Sequence, residues 1–129
     1  MRDVEGFHTL WTAPYFKQNR EDTYGMQDYE LLTMILSALM WRKMNGPITL
    51  YGDARAIDYI ERQGLSHVWD GGVKEIRVPD NISPRVFWAA GKLYALKEVH
   101  MPAVMVDLDL IVWKNIGTYI DGTDICAIH

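Results

Sequence analysis

Asp107 and Asp109 stand one residue apart in AVMVDLDLIVWKN, residues 103–115, an otherwise apolar run. Ionised carboxylates are costly to bury without compensation, so such a pair demands a partner or a place at the surface. On a fully extended chain the two side chains point to opposite faces. Where a strand ends and the backbone turns, both can reach one point just outside the sheet. Two hard oxygen donors suit Mg2+ or Mn2+ better than Zn2+, for which the sequence offers no His/Cys set. A cation held by so few protein groups keeps coordination positions for phosphate oxygens. The bland alternative is a solvated loop pair, which the apolar residues on both sides disfavour. A third chemistry uses the same local pattern: an aspartyl-phosphate reaction of the haloacid-dehalogenase type, with the first Asp as nucleophile and the second as general acid/base. In that family the motif opens the domain, whereas here it lies near the end of the sequence.

Any of these chemistries needs a strand that ends at Asp107, and AVMVD, 103–107, reads as one. Three more precede it: GFHTLWT (6–12), ITLYG (48–52) and VKEIRV (73–78). Ala13-Pro14 ends the first, since proline cannot donate to a ladder, and 16–27 reads as an irregular loop. DYELLTMILSALMWRKM, from Asp28, reads as a helix, acidic at its start and basic at its end as the helix dipole favours. Leu32, Ile35 and Leu39 lie beside Leu36 and Met40, so this helix is expected to be buried around most of its circumference. Asp53 could cap the next helix, ARAIDYIERQ, which Gly64 closes. Ser83-Pro84 predicts the start of a third helix running to about Val99, with Gly91 marking close approach of another backbone or a ligand. DICAI reads as a further strand.

Strand and helix alternate, which predicts an α/β protein with a mostly parallel sheet and helices on both faces. Ligands of such sheets bind beyond the carboxyl ends of the strands. Trp11 and Thr12, Asp53, Pro79 and Asp80, and Asp107 to Asp109 all fall at that edge. His8 and His67 read as structural or exposed, and Trp88, Tyr94 and Trp113 as core aromatics.

With 129 residues the chain is expected to be one domain, 1–129. A net charge of −4 with scattered basic residues argues against a general nucleic-acid binder. Cys126 is the only cysteine, so no intrachain disulfide can form. No signal peptide or transmembrane segment is legible, and the expectation is a cytoplasmic protein.

FHTLWTAP, ITLYGD and FWAAGKLYALKEVHMPAVMVDLDLIVWKN together resemble the N-terminal, nucleotide-binding half of a GT-A-fold glycosyltransferase, most closely the bacterial enzymes related to capsule and lipopolysaccharide sugar transferases. The resemblance spans nearly the whole chain and implies a Rossmann-like three-layer α/β/α sheet that binds a UDP- or GDP-sugar. It implies that Asp109 ligates Mn2+ or Mg2+ on the diphosphate, and that Asp107 contacts the ribose or the metal and its water. Trp11 and Thr12 would line the nucleobase pocket, Asp53 would touch the base or cap its helix, and Lys92 would lie near the donor phosphates or sugar. Complete domains of this type are considerably longer, so the expectation is a half-built donor site. The alternative is a non-catalytic binding module that forms a homo-oligomer. His129 is a further candidate ligand, disfavoured because chain ends fray.

Overall fold

Short β-branched and aromatic runs, each followed by a helix-forming stretch, fold into one parallel sheet in the computed structural model, which describes residues 3–19, 22–100 and 102–120. The strands are β1 (Gly6–Leu10), β2 (Ile48–Gly52), β3 (Val73–Glu75) and β4 (Val104–Met105). Their order is β3-β2-β1-β4, every neighbouring pair parallel. The protein is thus α/β, with part of a Rossmann-like arrangement. Gly6 pairs with Ile48 and with Val104, so β1 carries a neighbour on each side.

Alternation along the strands divides the core in two. Leu10, Ile48 and Leu50 pack with Met34, Ala38 and Trp41 of α2 (Asp28–Met44) and with Ala56, Tyr59 and Ile60 of α3 (Ala54–Arg62). On the other face Phe7 and Tyr51 meet Ile76 and Ala95, the latter from α4 (Ala90–Glu98). Helices therefore cover both faces, as the alternation predicts. Among the described residues no helix is long and apolar enough to cross a membrane.

Four sequence expectations need correction. Residues 13–18 form a helix, α1 (Ala13–Gln18), inside the stretch read as strand end and loop. Pro14 stops the strand but sits in the first helical turn, where its missing N–H costs nothing. Tyr15 of this helix stacks edge-on against Tyr24, with centroids 4.9 Å apart, and Tyr24 against Tyr59 at 5.3 Å, which ties α1 and Tyr24 to α3. The helix expected from Ser83 begins instead at Ala90: Ser83 C=O takes the N–H groups of Val86 and Phe87 in a pair of turns. Val86, Phe87 and Trp88 are modest helix formers and all exposed, so no packing offsets their propensity. Trp88 and Trp113, expected in the core, are 68% and 64% exposed.

The fourth correction concerns α2, which buries one stripe only: Met34, Ser37, Ala38 and Trp41. Tyr29, Leu32, Leu36 and Leu39 form an exposed stripe. Both stripes are apolar at helical spacing, so periodicity could not say which one meets the sheet. Trp41 settles the matter, because its ring lies across β1 where Gly6 has no side chain, and its indole N–H donates to Val4 C=O at 3.1 Å.

The buried histidine of this core has a partner at each ring nitrogen, whereas the buried Thr9 hydroxyl has none. His8, on β1, is completely buried. Trp69 Nε1 donates to its Nδ1 at 3.0 Å, and its Nε2 lies 3.0 Å from Ser37 Oγ. Burial pushes the imidazole pKa from 6.5 down to about 4, against a weaker upward pull from the Asp107 charge. The predicted strand DICAI, with Cys126 and His129, lies outside the described residues.

Two outcomes follow from this packing. A Cβ on residue 6 would sit 2.6 Å from Trp41 Cε2, so Gly6→Ala should cost about 1–3 kcal/mol in urea unfolding. His8 is neutral when folded but free to protonate when unfolded, so the unfolded chain binds the extra proton first. Its contribution is complete above pH 6.5 and is lost as pH falls toward about 4. The loss should be on the order of 3 kcal/mol, read from urea midpoints across that range, and His8→Gln should remove that part of the pH dependence.

Candidate functional site

The carboxyl ends of β1, β2 and β4 bring most of the candidate residues to one edge. At β2, Asp53 follows directly and caps α3, its Oδ1 accepting Ala56 N–H at 2.9 Å. The same carboxylate takes Thr12 N–H at 2.9 Å and the Thr12 hydroxyl at 2.8 Å. Asp53 N–H in turn donates to Leu10 C=O at 3.3 Å. One side chain thus fastens the ends of two strands and the start of a helix. Asp53 and the fully buried Thr12 hydroxyl are spent on structure, which favours the capping alternative over base contact.

At β4 the chain turns immediately. Val106 N–H donates to Phe7 C=O at 2.9 Å, continuing the pairing with β1, and Leu110 N–H closes a turn onto Asp107 C=O at 3.0 Å. Asp107 and Asp109 occupy this turn, and both are exposed. The requirement for a strand end is met: neither charge is buried.

Lys92, in the first turn of α4, places Nζ 2.6 Å from Asp107 Oδ1, with side-chain exposures of 36% and 57%. No local pattern marks this pair, because fifteen residues separate its members. Being partly exposed, it contributes little to stability. Its importance is positional, since it sets a cation against one oxygen of the Asp-x-Asp.

Gly91 explains how α4 comes so near. A Cβ there would lie 2.5 Å from Trp11 Cβ, so only glycine lets the helix rest against the end of β1. The close approach expected at Gly91 is therefore to Trp11. A continuous line results: Asp53 with Thr12, Trp11 against Gly91, and Lys92 on Asp107. Asp80 is not part of it, lying in the turns that follow β3, where Ile82 N–H meets Pro79 C=O.

Among the described residues no group of three or more His, Cys, Asp or Glu side chains could hold a metal ion. The donor set is Asp107 and Asp109 alone, with Oδ1 of Asp107 already facing Lys92. Two carboxylates fit Mg2+ or Mn2+ only where a ligand's phosphates complete the shell. They would not form a free-standing metal site.

The residues that sequence reasoning passed over lie behind the turn. Ser37 donates its hydroxyl to Leu110 C=O, and His8 and Trp69 stand behind Ser37. A serine within the buried stripe of an apolar helix, and a histidine inside an apolar strand, were the available signals.

No family model matches the chain, and neither a curated protein nor a solved structure matches it.

Replacing Asp53 by Ala removes the helix cap and both Thr12 bonds together. Thermal and urea unfolding should show a loss of about 2 kcal/mol or more, since the buried Thr12 hydroxyl is left unpaired.

Proposed function

We propose that the chain is the donor-binding part of a metal-dependent glycosyltransferase and takes a nucleoside-diphosphate sugar at the carboxyl edge of β1 and β4. The observation that carries this reading is the exposed Asp107–Asp109 turn beside an inner strand of a parallel sheet, with Lys92 held on Asp107 at 2.6 Å. This edge is where parallel α/β sheets take their ligands. A motif of two acids and one base suits a diphosphate bridged to a cation.

Asp109, exposed and without a protein cation beside it among the described residues, would be the first metal ligand, and Asp107 would offer its second oxygen to the metal, to its water or to the ribose. Lys92 turns from Asp107 toward the phosphates as they arrive, exchanging one anionic partner for another. Trp11 lies between the two halves of the edge, against Gly91, which supports a role in bordering the base. When bound, the divalent cation supplies positive charge that stabilises the departing nucleoside diphosphate as the sugar takes on oxocarbenium character.

A second reading, a non-catalytic module that self-associates, draws on the exposed stripe Tyr29, Leu32, Leu36 and Leu39 of α2.

Thermal unfolding with UDP or GDP, alone and with Mn2+, separates the two. The donor-site reading expects stabilisation by nucleotide and Mn2+ together, about 2.7 kcal/mol at roughly a hundredfold excess over Kd, and its loss in Asp109→Ala. No stabilisation by any combination, together with a sedimentation coefficient that rises with protein concentration and falls back in Leu32→Asp, would replace it with the second reading.

A further inference from the structure

The peptide unit that follows the Asp-x-Asp is gripped at both ends. Leu110 N–H donates to Asp107 C=O at 3.0 Å, and Leu110 C=O accepts the Ser37 hydroxyl. The direction of the second bond is forced from three residues back. An indole N–H can only donate, so His8 Nδ1, 3.0 Å from Trp69 Nε1, must present its lone pair. A neutral imidazole with a bare Nδ1 carries its proton on Nε2, which then donates to Ser37 Oγ at 3.0 Å. The Ser37 oxygen is thereby occupied as acceptor, and its hydrogen is left for Leu110.

A serine in mid-helix ordinarily bonds the carbonyl one turn back. Thr33 on the same helix does so, donating to Tyr29 C=O at 2.6 Å. Ser37 instead reaches a residue 73 positions away in sequence. Trp69 and His8 are each no more than 2% exposed and Ser37 is 1% exposed, so water does not compete for these three side chains; the Leu110 carbonyl they reach is half-buried.

We infer that Ser37 is a positioning residue for the Asp107–Asp109 turn, acting through the Leu110 carbonyl and held in a single hydroxyl orientation by His8 and Trp69. The turn's entry is fixed by the β1–β4 ladder and its exit by this relay, so the two carboxylates stand on a braced loop. The consequence for ligand affinity rests on the donor-site reading; the bracing itself does not.

NMR on the 15N-labelled chain tests it. In the wild type, the His8 ring nitrogens should report the Nε2–H tautomer. In Ser37→Ala, the Leu110 amide should exchange about tenfold faster than in Ile60→Val, a control that weakens the core beneath α3 by a similar amount. If Ser37→Ala does not fold, Trp69→Phe should release the tautomer and speed Leu110 exchange alike. An Nδ1–H tautomer in the wild type, or Leu110 exchange no faster than in the control, overturns the inference. Where the wild type binds Mn2+ with UDP or GDP, Ser37→Ala should weaken that binding about tenfold and Ile60→Val should not. Equal binding by Ser37→Ala and wild type would overturn the consequence for affinity, and the exchange result would still decide the bracing. A wild type that binds neither nucleotide removes the donor-site reading alone, and the exchange result still decides the bracing.

Discussion

A histidine kept neutral in the middle of the sheet is the constraint around which the structure is arranged. His8 lies on an inner strand with no access to water, so each of its ring nitrogens must find a protein partner. Trp69 supplies the donor and Ser37 the acceptor. Those partners come from the loop before β3 and from the buried stripe of α2, and Ser37 passes the chain of bonds on to Leu110 after β4. Four segments distant in sequence are thus held in one register by a set of bonds that fails if any member is missing. Such networks are worth most when complete, because a half-satisfied one leaves a buried polar group unpaired.

Asp53 performs a similar task at the edge. One carboxylate caps α3 and binds both the amide and the hydroxyl of Thr12, so the ends of β1 and β2 move as a unit. Two braced regions result, one at Thr12 and one at the Asp107–Asp109 turn. Trp11 against Gly91 lies between them, and α4 brings Lys92 across to Asp107. A ligand at this edge would meet groups whose backbones are already ordered, which lowers the entropy lost on binding.

The exposed apolar residues have a different origin. Packing on the sheet selected Met34, Ser37, Ala38 and Trp41 of α2, since Gly6 opens a space for the Trp41 ring, and the opposite stripe was left in solvent. Val86, Phe87 and Trp88 are likewise outward-facing, on turns that precede α4. In both places hydrophobicity alone suggested burial, but an apolar residue is buried only where a partner surface has room for it.

The alternation of the four strands with α2, α3 and α4, the parallel sheet, the place of Asp107 at a strand end and the capping option for Asp53 were legible in the sequence, whereas α1 was not. Each depends on patterns a few residues long: alternation, helix periodicity, a cap, a proline. The start of α4 was not legible, because Ser-Pro is a sound helix signal that a following Val-Phe-Trp run can override. Neither was the buried stripe of α2, where two apolar faces compete on equal terms. The pairing of Lys92 with Asp107, and the path from Trp69 through His8 and Ser37 to Leu110, were decided only by the tertiary structure. Local propensity is set by neighbours along the chain, whereas a buried hydrogen bond is set by which distant groups the packed sheet excludes from water together.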